Sequence, residues 1–201
     1  MSTRSRLSER GTAAARTIFL FIVALALLIS LQAAVPAAAF EGANGRLAFQ
    51  SRRAGNWEIY SMNPDGSDVV RLTTDAADDE RPGWSPDGRQ IVFGSRRGGN
   101  PDIYVMNADG SGLRRVTTQP GEDYAPQWSA DGARIVFRSS RDGNKEIYVM
   151  NADGSGIVNL SNSPTTTDER AAAAPDGRIA FVRSQGGNDD IWVMDADGSN
   201  Q

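Results

Sequence analysis

Residues 102–111 read Asp102-Ile103-Tyr104-Val105-Met106-Asn107-Ala108-Asp109-Gly110-Ser111, and 44 residues later 146–155 read Glu146-Ile147-Tyr148-Val149-Met150-Asn151-Ala152-Asp153-Gly154-Ser155. Looser copies stand on either side, at 58–67 and 190–199. The Asp-Gly pairs that begin at 65, 109, 153 and 197 keep the same spacing, and so do Phe49, Phe93 and Phe137, with Phe181 after them. A fixed period of this length marks a repeat architecture, in which each copy is one supersecondary unit.

Within a period the apolar runs are short, rich in β-branched and aromatic residues, and bounded by Gly, Asp, Asn or Pro, which reads as strands. Asp-Gly between two such runs signals a tight hairpin, because glycine accepts positive φ without steric cost. One full unit therefore has four antiparallel strands: A around Trp84, B at 91–93, C at 103–106 and D at 113–117. Strands B and C are apolar on both faces, whereas a sheet with one wet face alternates apolar and polar residues. Neighbouring units must cover both faces, and four-stranded sheets stacked around an axis make a β-propeller. A β-sandwich is the competing all-β arrangement, and it gives no reason for the period.

Trp84-Ser85-Pro86-Asp87-Gly88, then Ile91-Val92-Phe93, then the stretch at 102–111, resembles the propeller repeat of the TolB family. That repeat also occurs in non-catalytic domains of secreted peptidases. The resemblance covers 45–201 and is specific for the fold. It says less about function, since one propeller hosts many activities.

The first 39 residues differ from the rest. Arg4, Arg6, Arg10 and Arg16 precede an apolar run at 18–31, which leads to Pro36-Ala37-Ala38-Ala39. This pattern predicts a secretory signal peptide over 1–39, cleaved after Ala39, and a secreted or periplasmic product. An uncleaved membrane anchor is the alternative. Taking four Arg and Glu9 from totals of 21 basic and 25 acidic residues leaves 17 and 24, a net charge of −7. That balance argues against nucleic acid or an anionic membrane surface as a partner. With no Cys there is no lipid-modified N-terminus, so no membrane association is expected after cleavage.

The blades expected are 45–73, 82–117, 126–161 and 171–201. The first lacks strand A and the last lacks strand D, which predicts an incomplete ring. Self-association of two arcs into one ring and a strained four-bladed ring are the alternatives. Ala173 stands where Trp84 and Trp128 stood in their units. A buried Trp replaced by Ala loses ~3–5 kcal/mol, so the fourth blade should pack less tightly unless a neighbour fills the space.

The chain has no His and one Lys, Lys145, with no nucleophile motif around it. Catalysis is not expected, and neither is a cofactor. A calcium loop at the Asp-Gly turns would need a late bidentate acid that no copy supplies, so these read as hairpins and no metal site is expected.

With strands alternating in direction, A–B and C–D turns share one face, and B–C and D–A loops share the other. The second face carries the longer, less uniform loops, at 73–81, 117–125 and 161–170, where binding is expected. Asp79, Asp123 and Asp168 each precede the Trp84, Trp128 and Ala173 positions by five residues. With Glu80, Glu122 and Glu169 they would form an acidic funnel at the channel mouth for a cation or a basic segment; polar capping is the plainer reading. Arg97 and Arg141 precede Asp102 and Glu146 by five residues, as Arg53 precedes Glu58, which suggests cross-strand ion pairs or partner contacts. Tyr124 is the aromatic residue expected on this face.

These features point to a non-enzymatic propeller binding a protein or cell-envelope component through its D–A/B–C face. By resemblance, the TolB family supplies periplasmic partner-binding modules of envelope integrity. An accessory domain of a larger secreted hydrolase is the competing class, and a carbohydrate-binding propeller is a third.

Overall fold

A computed structural model describes residues 45–201; the leader expected over 1–39 lies outside the described residues. Fourteen strands form four antiparallel sheets in chain order. The first blade holds β1 (Leu47–Ser51), β2 (Glu58–Met62) and β3 (Val70–Arg71). The second holds β4 (Asp79–Trp84), β5 (Gln90–Ser95), β6 (Asp102–Asn107) and β7 (Arg114–Arg115). The third holds β8 (Asp123–Trp128), β9 (Arg134–Ser139), β10 (Glu146–Asn151) and β11 (Val158–Asn159). The fourth holds β12 (Thr167–Ala173), β13 (Ile179–Gln185) and β14 (Asn188–Met194). Among the described residues the first sheet lacks strand A and the last lacks strand D, so the fold is a partial β-propeller, as the repeat predicts.

Strand A begins earlier than expected, at Asp79, Asp123 and Thr167 rather than at 82, 126 and 171. The register against strand B shifts between Glu80 and Gly83, between Tyr124 and Gln127, and between Glu169 and Ala172. Arg81, Ala125 and Arg170 sit in these shifts with φ of 56°, 52° and 54°. The bulge absorbs Pro82 and Pro126, which have no N–H for the ladder and would otherwise end the strand.

The apolar runs of B and C in the second and third blades are buried on both faces, as their sequence requires. Phe93, Phe137 and Phe181 are fully buried. Phe49 and Tyr60, Phe93 and Tyr104, and Phe137 and Tyr148 meet across the B–C pair at ring distances of 5.7, 6.0 and 5.9 Å. Between blades, Trp128 packs with Val92 and Val105 of the second blade, and Trp84 packs near Ala48 of the first. Ile191 and Val193 are 75% and 42% exposed, although Ile103 and Val105 at the matching positions are covered by the following blade.

The Asp-Gly turns tie neighbouring blades together. Asp153 Oδ1 accepts from Ser155 N at 2.9 Å and Ser155 Oγ at 2.6 Å, and Asp65, Asp109 and Asp197 hold their serines the same way. Gly154, at φ 93°, lies so near the third strand D's predecessor that an added Cβ would stand 2.5 Å from Val116 O. Gly110 and Gly198 sit as closely on Leu72 O and Leu160 O. The C–D turns at Gly110, Gly154 and Gly198 are thus both hairpins and clasps on the preceding blade.

Main-chain and amide bonds sort the connections onto two faces. Ala108 N donates to Arg89 O, and Ala152 N to Ala133 O, joining C–D turns to A–B turns. Asn100 Nδ2 donates to Gly121 O and Asn144 Nδ2 to Thr166 O, joining B–C loops to D–A loops.

Candidate functional site

At the B–C/D–A end each strand A buries its aspartate. Asp79, Asp123 and Asp168 are at most 1% exposed. The expected funnel therefore lacks these three carboxylates: they open strand A rather than lie in the D–A loop, and each meets a guanidinium. Arg97 Nη2 reaches Asp79 Oδ2 at 2.6 Å, and Arg141 Nη2 reaches both oxygens of Asp123 at 2.9 Å. Arg97 and Arg141 do not pair with Asp102 and Glu146 on strand C, as the five-residue spacing suggested. Ser95 Oγ and Ser139 Oγ accept from their Nε atoms and turn each guanidinium toward strand A. Each guanidinium also lies over the buried ring pair of its own blade, 5.1 Å from Tyr104 and 4.9 Å from Tyr148.

The fourth blade makes the same pair from another position. Arg183, on β13, donates Nε to Asp168 Oδ1 and Nη2 to Asp168 Oδ2, both at 2.8 Å, with its guanidinium 4.5 Å from the Trp192 ring. In the first blade Arg53 lies over Phe49 and Tyr60, where no strand A among the described residues supplies an aspartate.

The strand C acids have partners on strand D instead. Glu58 meets Arg71 and Thr73; Asp102 meets Arg115 at 2.6 Å; Glu146 meets Asn159 and accepts from Ser163 N at 2.5 Å. Together these buried groups fix the loops from below.

Above them runs a connected surface ladder. Tyr124 donates its hydroxyl to Glu80 Oε2 across the second and third blades. Its ring lies between two cations, with Arg81 at 5.2 Å and Arg138 at 5.3 Å from the centroid. Gly94 makes room for it, since a Cβ there would stand 3.1 Å from the ring. Arg138 meets Glu122 at 3.3 Å and Glu169 of the fourth blade at 3.4 Å, and Lys145 meets Glu169 at 2.6 Å. Glu80, Glu122 and Glu169 are therefore matched by cations and a phenol rather than forming an unneutralised acidic ring. Trp57, unforeseen on this face, sits beside the B–C loop with Arg52 4.7 Å from its ring.

The electrostatics follow the contacts. Burial pushes the Asp79 carboxyl up, against the lowering effect of the Ser95 hydroxyl and the Arg97 guanidinium beside it. Burial likewise raises Asp102. Burial and then the Glu80 carboxylate raise the Tyr124 phenol. The Lys145 ammonium holds Glu169 below its usual range.

The repeat made Asp79, Asp123, Asp168, Arg97 and Arg141 conspicuous, and those residues prove to be the buried frame. Sequence reasoning missed Arg138, Arg183, Gly94 and Trp57. Their signal is departure from the repeat: after Phe93, Phe137 and Phe181 the chain reads Gly94, Arg138 and Val182. The arrangement offers alternating charge and one aromatic face on rigid supports, which suits holding a polar partner. Among the described residues no group of three or more acids gathers as a metal cage.

The TolB beta propeller domain family model matches residues 24–201. Over 47 residues the chain is 45% identical to the Tol-Pal system protein TolB of Geobacter sulfurreducens, a match spanning 23% of this chain and 11% of that protein. Putative TolB from Agrobacterium tumefaciens has 28% identity and a TM-score of 0.72, over 78% of this chain and 59% of that one. For TolB from Acinetobacter baumannii the values are 27%, 0.67, 77% and 39%. The chain thus spans less than two thirds of the length of these relatives. A puromycin hydrolase, at 19% identity and a TM-score of 0.61 over 72% of this chain and 25% of its own, shares the fold alone.

Proposed function

The chain belongs to the TolB β-propeller family, and from that membership we propose that it is a non-enzymatic extracytoplasmic scaffold that holds a protein or cell-envelope component on its B–C/D–A face. One observation carries this reading. Three adjacent blades join Glu80, Tyr124, Arg138, Glu169 and Lys145 into a single run that crosses two blade boundaries. Beneath it the buried Asp–Arg pairs repeat from blade to blade, while the run itself does not. A repeated frame under an unrepeated surface is what a rigid scaffold with one specific partner requires.

The bulges contribute directly. Arg81 and Arg170 stand at positive φ in the register shifts and are exposed. Bulges at such places re-aim side chains toward a binding surface. The export pattern of 1–39 and the TolB relatives both support an extracytoplasmic setting. The absence of His and Cys from the whole chain supports binding over bond-making.

Affinity capture from a cell-envelope extract tests the reading. The wild-type protein and a Tyr124→Ala/Arg138→Glu variant of equal melting temperature are compared by quantitative mass spectrometry. Specific proteins recovered with the wild type and lost with the variant support the proposal. An identical recovered set contradicts it.

A further inference from the structure

The geometry points to a strand-addition site on the open edge of β1, which takes an extended segment of a partner protein headed by a carboxylate. Among the described residues β1 pairs with β2 alone, so its other edge carries no strand. In the second and third blades strand A holds that edge of strand B. All five residues of β1 are only half-buried, whereas residues 91–95 of β5 are buried.

The main chain of this edge is set for pairing. Ser85 N donates to Gln90 O and Arg96 N to Asp78 O; one blade on, Ser129 N donates to Arg134 O and Ser140 N to Glu122 O. Alternate residues of strand B therefore turn their main-chain groups toward strand A. Counting 44 back from Val92 and Gly94, that role on β1 falls to Ala48 and Gln50. An unpaired edge of this kind is a template for an added strand, with main-chain bonds giving affinity and side chains giving specificity.

Arg53 sets the charge of the incoming strand. Its Nε donates to Ser51 Oγ at 3.1 Å, and its guanidinium lies 5.2 Å from the Phe49 ring centroid and 4.8 Å from that of Tyr60. Arg97 and Arg141 hold the same pose, on Ser95 and Ser139 and over their own ring pairs, and each meets a buried strand A aspartate. Arg53 is exposed; its described contacts are Ser51 and the two rings, and no carboxylate among the described residues pairs with it. Counting 44 back from Asp79 reaches Val35, so the chain's own register offers no acid for this place.

Register then fixes the ligand. Asp79 and Asp123 stand opposite Ser95 and Ser139, and Trp84 and Trp128 opposite Ile91 and Ile135. The matching positions on β1 are Ser51 and Leu47. The segment thus runs antiparallel to β1, with its acid opposite Ser51 and an apolar residue five places on, opposite Leu47. The site shares no residue with the run that joins Glu80, Tyr124, Arg138, Glu169 and Lys145, so it stands apart from the proposal made for that run.

The probe is a blocked peptide copying residues 122–129, the strand A of the third blade, titrated into the isotope-labelled protein and followed by NMR. Saturable binding is expected, with shifts at the Ala48 and Gln50 amides and at Arg53 Nε. Asp123→Asn in the peptide and Arg53→Ala in the protein, a change at an exposed side chain, should each weaken binding at least ~10-fold, because each removes the charge-assisted bond. The Tyr124→Ala/Arg138→Glu protein should bind the peptide as the wild type does; a loss there would put the peptide on the surface ladder and overturn the proposal. It is also overturned by the absence of saturable shifts, by equal binding of a scrambled peptide, or by unchanged affinity with either the Asn peptide or Arg53→Ala. A free protein that is dimeric in light scattering and takes up no peptide would overturn it too, since a second copy would then hold the edge.

Discussion

Arg183 grips Asp168 with both prongs of its guanidinium, at 2.8 Å each, from a position two residues after Phe181. Arg97 and Arg141 reach Asp79 and Asp123 from four residues after Phe93 and Phe137. Two different positions in the repeat thus deliver one arrangement, a buried carboxylate at the head of strand A covered by an arginine. Each described blade that has a strand A holds the pair, and it is assembled by either route.

Removing only the cation should therefore be costly. Arg183→Leu leaves Asp168 buried and unpaired, a situation that costs ~3–5 kcal/mol. The double variant Asp168→Leu/Arg183→Leu removes both charges and should recover more than half of that loss. Urea unfolding of the three proteins measures it, and a double variant no more stable than Arg183→Leu would contradict the account.

Acidification should act in two opposed stages. Burial raises Asp79 and Asp102 above their usual value of 3.8, so the folded protein binds protons there that the unfolded chain has released. Their effect on stability is thus more favourable as pH falls from neutral toward 3.8, and is lost as pH rises through the folded values. Asp65, Asp109, Asp153 and Asp197 behave oppositely: serine hydroxyls lower them, so stability present above 3.8 is lost as pH falls below it. The melting temperature should hold or rise on acidification to about pH 4 and fall beyond it. Asp79→Asn should flatten the first stage, and an unchanged profile would count against the burial argument.

The clasping turns separate two costs of losing glycine. Gly66 has φ 84° and open space around its Cβ direction, so Gly66→Ala should cost only the left-handed backbone term, ~1–3 kcal/mol. Gly154→Ala adds a Cβ 2.5 Å from Val116 O and should cost clearly more, since the turn must lift off the second blade. Equal losses in chemical denaturation would mean that the turn does not clasp its neighbour.

Trp128 is 8% exposed and lies in the cluster that joins the second and third blades. Trp128→Ala should cost ~3–5 kcal/mol through the cavity it leaves between the blades. A loss below about 1 kcal/mol, read from urea midpoints, would show that the blades close over the gap.

Much of the fold was legible because a propeller writes itself as a period. Phe93 and Phe137 mark strand B, Asp109 and Asp153 mark the C–D hairpin, and doubly apolar strands require blade-on-blade packing. The start of strand A was misplaced because Pro82 and Pro126 look like strand breakers, and a bulge that tolerates them leaves no mark in composition. The candidate site was less legible for a related reason. Repetition draws attention to Asp79 and Arg97, whose pairing depends on which strand end faces which loop, and that is a property of the assembled sheet. Tyr124 and Glu80 were named from the sequence, but the bond between them crosses a blade boundary. Arg138 and Gly94, which complete the surface, occur once each and carry no periodic signal.

The claim that the B–C/D–A face is where the partner sits is tested most directly by site-specific photo-crosslinking in intact cell envelopes. A crosslinking residue at Glu122, exposed on that face, is compared with one at Arg89, whose side chain is 85% exposed in an A–B turn on the opposite face. The account predicts discrete adducts of defined mass from position 122 and none from position 89. Adducts from position 89 alone, or from neither position, would contradict it.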